Sequence, residues 1–139
     1  MDMQRLETQL RFAMEVEQLK QIFRQSLLLG DRRRENDAEH SWHICLMAIL
    51  LVEHAAEEVD VLQVLKMLLI HDVVEIDAGD TFTYDAQANL DKEEREHRAA
   101  ERLFNLLPED QATAYRALWD EFEKRQSAEA RYAVRPAAS

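Results

Sequence analysis

Residues 65–80 read LKMLLIHDVVEIDAGD, and this stretch decides the fold prediction for the rest of the chain. Its apolar first half continues directly into His71 and Asp72. Polar groups that extend a buried apolar run are costly to bury unless they have partners or a metal. On a helix Glu75 lies one turn after His71 and Asp72, so all three side chains can project to one side. One imidazole and two carboxylates within a turn suit a metal site with a general base beside it.

A single His-Asp pair is ambiguous, because a surface ion pair or a helix-end histidine gives the same pattern. A second histidine, His40, lies near the start of another apolar segment and strengthens the prediction of a metal site. His43 follows three residues later and makes a possible ligand pair with His40. We favour His40 alone, because His43 is as easily explained as a residue on the face of a helix.

Composition predicts an all-α protein. The chain has 139 residues, of which 47% are hydrophobic and 32% charged, with only two glycines and two prolines. That length suits one domain spanning residues 1–139 with a real core. Few turn formers and many good helix formers predict a compact bundle of about six helices.

The formal net charge of −11 argues against binding to nucleic-acid polymers, which requires a basic surface. It is compatible with a small phosphate substrate, because a metal and a few arginines can reverse the field inside one pocket. No apolar segment reaches about 18 residues, so we expect no membrane partner. We also expect no signal peptide and a cytoplasmic location. The single cysteine, Cys45, permits no intramolecular disulfide and is expected to be buried.

Hydrophobic periodicity divides the chain into helices and loops. The predicted helices are 2–26, 37–58, 60–76, 91–107 and 109–126, with a short last segment after Ser127. The segment 37–58 is apolar over much of its surface and is predicted to be the most buried helix. Asn36 or Asp37 is expected to cap it, and Asp60 to cap the next helix. Residues 27–36 and 81–90 are predicted loops, the second lying over the mouth of the site.

Two local segments resemble one known family. Residues 34–42, RENDAEHSW, are similar to the RxENxxEHS segment of the HD-domain metal-dependent phosphohydrolases in the branch that includes the 5′-deoxynucleotidases. Residues 71–80, HDVVEIDAGD, resemble the HDxxExxxGD segment of the same branch. The resemblance covers residues 19–132 and implies the HD-type helical fold.

The resemblance implies a set of metal ligands. By it, His40, His71 and Asp72 bind a divalent ion, and imidazole and carboxylate ligands suit manganese, cobalt, iron or zinc. Relatives add a fourth ligand, an aspartate on a later helix. Ala137 stands at about that place here, and no acidic residue follows Glu129.

The resemblance also implies roles around the metal. Glu75 would orient or deprotonate the attacking water, and Asp80 would hold the water or the substrate. Arg24 would contact the phosphate, with Arg34 as a more structural partner. The family's tryptophan beside that arginine is absent, since Gln25 stands there.

The implied activity is hydrolysis of the 5′-phosphate of (deoxy)nucleoside monophosphates. A first alternative is an HD-fold protein that has lost catalysis and binds a nucleotide for regulation. A second is another chemistry of the family, on a phosphodiester or a guanosine tetraphosphate-type alarmone, which the short chain makes less favoured. A homodimer is expected, because HD-domain relatives of this size often pair and a small helical domain leaves apolar surface to cover.

Overall fold

The computed structural model describes residues 1–27, 33–79 and 86–137. The predicted all-α class is confirmed: the described part holds six helices of ten residues or more, one single-turn helix and a two-stranded sheet. The helices are α1 (Met3–Val16), α2 (Asp37–Leu50), α3 (Val61–Ile70), α4 (Glu75–Ala78), α5 (Ala86–Phe104), α6 (Glu109–Lys124) and α7 (Ala128–Ala137), and the strands are β1 (Phe23–Leu27) and β2 (Arg34–Asn36).

The prediction of helix through residue 26 is wrong. Helix α1 ends at Val16, a 3₁₀ turn follows at Glu17–Gln21, and β1 then pairs antiparallel with β2. This pairing joins the end of the predicted first helix to the last three residues of the predicted first loop, and helical periodicity cannot detect it. Of that loop, residues 28–32 lie outside the described residues.

Helix α2 begins as predicted but is shorter and less buried. The Asn36 side chain accepts a hydrogen bond from the Glu39 backbone N–H, and the Glu39 side chain accepts one from the Asn36 N–H, which forms a capping box. The helix ends at Leu50 instead of residue 58. The prediction that it is the most buried helix is also wrong, because Trp42 and Leu50 are about two-thirds exposed.

Helix α3 is capped by Asp60 as predicted, but it ends at Ile70 instead of residue 76. Residues 71–74 form a turn, and α4 follows. Gly79 ends α4 with a backbone φ of +76°, a value that residues other than glycine rarely adopt. The site residues after Ile70 therefore lie in a turn and a second short helix instead of one continuous helix.

The C-terminal half differs from prediction mainly at the second loop. Helix α5 already begins at Ala86, so residues 86–90 are helical, whereas residues 80–85 lie outside the described part. Ser127 accepts a hydrogen bond from the Ala130 N–H and caps α7, as expected. Helix α7 continues to Ala137 with Pro136 inside it.

Two apolar clusters form the core. The first lies around Phe104 and Trp119 and joins the end of α3 to α5 and α6. The second lies around Ile44, Met67 and Ala133 and joins α2 to α3 and α7. Among the described helices, none combines the length and apolar character that a membrane span needs. A cytoplasmic location stays a prediction.

Candidate metal centre

The structure brings together the three side chains that the sequence nominates as ligands. His40 lies in the first turn of α2, while His71 and Asp72 follow the last residue of α3. One ligand atom from each of the three lies within 4.8 Å of the other two, and all three residues are buried. The ring centroids of the two histidines are 6.3 Å apart. The end of one helix and the start of another therefore meet at one point.

Hydrogen bonds orient both imidazoles. His71 Nδ1 lies 2.6 Å from the carbonyl oxygen of Leu68, which can only accept, so Nδ1 carries a proton. In the neutral ring Nε2 then has a lone pair, and it lies 3.2 Å from Oδ1 of Asp72. His40 Nδ1 lies 3.1 Å from Oε1 of Glu35, which fixes its ring in the same way. Both rings can therefore present Nε2 as a ligand atom.

Two buried atoms of the group lack hydrogen-bond partners. His40 Nε2 and Asp72 Oδ2 have none among the residues that the structure describes. Buried polar atoms normally have a hydrogen-bond partner. A bound cation would satisfy these two atoms, because each can offer it a lone pair. Burial, together with the guanidinium of Arg24, lowers the pKa of His40 and favours the neutral form that binds metal. The residues present therefore fit a divalent ion.

A second acidic group adjoins the first. Asp37, Asp72 and Glu75 each place a carboxylate oxygen within 4.8 Å of the others. Three carboxylates so close repel one another, which favours a cation among them. Glu75, the predicted general base, thus lies beside the predicted ligand Asp72. From the sequence, Asp37 is predicted only as a helix cap, because its full burial depends on the tertiary packing of α2.

Arg24 reaches the site through Glu35. On β1, Arg24 Nε lies 3.8 Å from Oε1 of Glu35, the same oxygen that faces His40 Nδ1. The pairing of β1 with β2 brings this arginine to the start of α2. Sequence reasoning assigned no role to Glu35, although it lies within the quoted segment 34–42.

Arg34 and Asp80 are the remaining predicted site residues. Arg34 is exposed on β2, whereas its neighbour Arg33 makes an ion pair with Glu39. Arg33, with the Asn36 N–H, lowers the pKa of Glu39 to about 2. Asp80 lies outside the described residues.

The remaining histidine and cysteine predictions concern residues outside the ligand group. His43 is exposed and stacks on Trp42, with ring centroids 6.2 Å apart. His54 is exposed near the end of α2, as expected. Cys45 is half-buried, and burial raises the pKa of its thiol to about 11. None of the three belongs to the described groups of possible metal ligands.

A cleft of about 510 Å³ opens between α5 and α6, with Trp119 in its lining. Glu96 lines it, and its pKa is raised by burial and by the carboxylates of Glu123 and Asp72. His71 packs against Phe122 of α6, with ring centroids 5.1 Å apart. The lining of this cleft is mainly acidic, with Glu93, Glu96, Asp120 and Glu123 against Lys92 and Lys124.

The fold and this group define a class: an all-helical domain in which two histidines and an aspartate meet at helix ends as a candidate cation site. The model of the family described as "HD domain" matches residues 16–136. The chain belongs to that family.

Named relatives agree with this assignment. A solved structure described as a predicted metal-dependent phosphohydrolase from Magnetospirillum magnetotacticum MS-1 is 58% identical, with a TM-score of 0.88 over 96% of this chain and 66% of that one. The 5′-deoxynucleotidase HDDC2 of Bos taurus is 30% identical over 88% of this chain and 59% of its own length. The protein of the same name from Homo sapiens is 29% identical over the same shares. The chain thus spans about three-fifths of the length of these curated relatives.

Proposed function

We propose that this chain is a metal-dependent phosphohydrolase that removes the 5′-phosphate from (deoxy)nucleoside monophosphates. The proposal rests on two buried atoms that have no hydrogen-bond partner among the described residues, His40 Nε2 and Asp72 Oδ2. They lie beside the imidazole of His71, whose orientation is fixed by a hydrogen bond. The names of the relatives support phosphate chemistry, and those of the curated ones support the 5′-nucleotide substrate.

His40, His71 and Asp72 would hold a divalent ion, for which manganese, cobalt, iron and zinc are the candidates. When bound, such an ion polarises phosphoryl oxygens and lowers the pKa of a bound water. Glu35 and the Leu68 carbonyl keep the two imidazoles in the tautomer that presents Nε2. Glu35 and the Leu68 carbonyl thus position the two ligands and have no proposed contact with the substrate.

Glu75 is the proposed general base. It begins α4 and its carboxylate lies within 4.8 Å of Asp72, so it can take a proton from water held beside the ligand group. Asp80, which follows the turn at Gly79, is proposed to steady that water or the substrate.

Arg24 is the proposed phosphate contact. A guanidinium offers the planar set of donors that phosphate oxygens accept. Glu35 accepts from His40 and pairs with Arg24, so one carboxylate positions both a ligand and the phosphate-binding group. Arg34 would have a more structural role beside Arg24.

The decisive experiment is phosphate release from deoxynucleoside monophosphates with added Mn²⁺ or Co²⁺. Replacing the base, Glu75→Gln, should lower the rate about 100- to 10,000-fold while metal binding remains. Glu101→Gln, at an exposed position on α5, is the matched control and should keep full activity. Wild-type protein that loads metal but releases no phosphate from any monophosphate contradicts the proposal.

One observation favours a second candidate, a nucleotide-binding protein with weakened catalysis. Ala137 lies on α7 where the family resemblance predicts an aspartate ligand, and no fourth residue joins His40, His71 and Asp72 within the described part of the chain. Metal analysis after dialysis separates the candidates. Stoichiometric metal favours the enzyme, whereas a metal-free protein that binds deoxynucleotides tightly favours the binding protein.

A further inference from the structure

The side chain of Arg102 joins three helices. Its Nε donates to Asp77 Oδ2 at 2.5 Å, and its Nη2 donates to Asp77 Oδ1 at 2.8 Å. The same Nη2 also donates to Glu15 Oε1 at 2.6 Å. Arg102 lies on α5, Asp77 on α4 and Glu15 near the end of α1. One guanidinium therefore links the short helix that begins with Glu75 to two long helices.

The contact between Arg102 and Asp77 is more specific than an ordinary surface ion pair. Isolated exposed pairs contribute little, because solvent screens the charges and two long side chains lose freedom. Here two N–H groups of one guanidinium donate to the two oxygens of one carboxylate, and such a fork fixes orientation as well as distance. Hydrogen bonds to Asp77 and Glu15 also raise the pKa of the Arg102 guanidinium, so its charge persists.

Helix α4 depends on contacts of this kind because it has a single turn. Its four residues are far fewer than the roughly 12 that an isolated helix needs to be stable in water. Ala78 is buried in the first apolar cluster, and Ile76 packs against that cluster. Apolar contacts are not directional, so they hold α4 against the core without fixing its rotation. The fork on Asp77 supplies the missing direction.

Arg102 projects from a rigid part of α5. The next two residues on that helix, Leu103 and Phe104, are fully buried. The backbone at this position therefore cannot shift without disturbing the close packing of the core. Asp77, at the other end of the contact, lies two residues after Glu75 in the chain. The contact thus ties the segment that carries the proposed base to the core of the domain.

We propose that Arg102 is a positioning residue for the general base. Its fork on Asp77 holds α4 in the rotation that places a Glu75 carboxylate oxygen within 4.8 Å of one from Asp72. In this role Arg102 acts through Asp77 and touches neither substrate nor metal. The inference rests on the proposed function, because Glu75 performs the step that Arg102 supports. A displacement of a catalytic group by about 1 Å can cost about 100-fold in rate.

Steady-state kinetics of phosphate release from a deoxynucleoside monophosphate with Mn²⁺ test the proposal. Arg102→Gln should lower kcat about 10- to 100-fold, whereas KM and the Kd for Mn²⁺ should change less than about 3-fold. Arg102→Lys keeps the charge but not the fork, so its kcat should lie between those of wild type and Arg102→Gln. The matched control is Arg98→Gln, which breaks an ion pair with Glu94 one turn earlier on α5 and should keep full kcat.

Two combined variants separate positioning from a general loss of structure. Asp77→Ala should lower kcat as much as Arg102→Gln does, and the two changes together should lower it no further. In a Glu75→Gln background, Arg102→Gln should lower the remaining rate less than about 2-fold, because the group that it positions is already gone. Circular dichroism checks the fold of each variant.

Amide hydrogen exchange gives a readout that does not require activity. The N–H groups of Ala78 and Gly79 donate to the carbonyls of Val74 and Glu75 within α4. Their exchange should be at least about 10-fold faster in Arg102→Gln than in wild type, because the helix opens locally, and unchanged in Arg98→Gln.

Three outcomes overturn the inference while the proposed function stands. They are an active wild type in which Arg102→Gln keeps full kcat, unchanged exchange in α4 of that variant, and an effect of Arg102→Gln that is as large in the Glu75→Gln background. The last would mean that Arg102 supports the fold as a whole. Wild-type protein that binds Mn²⁺ but releases no phosphate contradicts the proposed function instead, and the role of Arg102 with it.

Discussion

Helices α2 and α3 carry two regions that both depart from the usual burial pattern, in opposite directions. Where the start of α2 meets the end of α3, the polar side chains of His40, His71 and Asp72 are buried. Along their outer side, six large apolar side chains are exposed: Trp42, Leu46, Ile49 and Leu50 on α2, and Leu62 and Leu69 on α3. Each arrangement is unfavourable for an isolated chain in water. A bound cation would relieve the first, and a covering apolar surface would relieve the second.

The largest effect is expected at the buried polar region. Asp72→Asn keeps the shape of the side chain but removes a charged ligand, so phosphate release should fall at least about 1,000-fold. The metal-free variant should be as stable as the metal-free wild type or more so, because the repulsion with Asp37 and Glu75 is gone.

Thermal melting with and without Mn²⁺ checks this prediction independently of activity. At about 100 times its Kd, the ion should stabilise the wild type by about 2.7 kcal/mol and leave Asp72→Asn unchanged. An equal Mn²⁺-dependent rise in Tm for both proteins would show that Asp72 is not a ligand.

The next largest effect is expected on the free energy of unfolding. Two adjacent leucines of α3, one buried and one exposed, allow its two sides to be compared. Leu68 is fully buried and Leu69 is 53% exposed. Leu68→Ala should lower the free energy of unfolding by about 3 kcal/mol, since it removes packed atoms and leaves a cavity. Leu69→Ala should cost less than about 1 kcal/mol at protein concentrations low enough to keep the chain monomeric.

Urea denaturation at two protein concentrations measures both leucine variants. The cost of Leu68→Ala should stay large at both concentrations. A cost of Leu69→Ala that grows with concentration would indicate that the expected homodimer uses this side of α3. Similar costs for the two variants at low concentration would contradict the distinction between the sides of α3.

A smaller effect is expected from Glu35, which supports the polar region from outside the ligand set. Glu35→Ala should weaken Mn²⁺ binding about 10- to 100-fold by releasing His40 Nδ1. Glu35→Gln keeps an oxygen that accepts from Nδ1 and should retain more of the affinity. Titration calorimetry measures both, and unchanged affinity in Glu35→Ala would mean that packing alone positions the His40 ring.

The smallest effect is expected at the cap of α2, which starts the polar region and does not touch the outer face. Asn36→Ala removes the side-chain oxygen that accepts from the Glu39 N–H and should cost about 1 kcal/mol of stability. Urea denaturation measures this cost. An unchanged free energy of unfolding would mean that water satisfies the Glu39 N–H equally well.

The sequence predicted the features that depend on neighbouring residues. The caps at Asn36 and Asp60 follow from local hydrogen bonding, and the convergence of His40 with His71 followed from motif spacing and the family resemblance. The errors concern packing between distant segments. Strand β1 forms because β2 lies beside it, and Glu35 acquires its position only through that pairing.

The exposure of α2 could not be read from its composition. Its apolar residues are spread around much of the helix, so periodicity could not indicate which side is covered and which is open. The whole segment 37–58 was predicted to be buried on this basis, although Trp42 and Leu46 are exposed. The side that faces α3 and α7 was determined by the tertiary packing.

One bond described above links activity to the way α3 ends. His71 Nδ1 donates to the carbonyl of Leu68, within the final turn of that helix. Low-cost local opening occurs where few apolar contacts are buried, whereas Leu68, Ile70 and Val73 around this turn are buried in the core. The imidazole should therefore keep its orientation until the bundle melts, so heat should abolish metal binding and the fold at the same temperature.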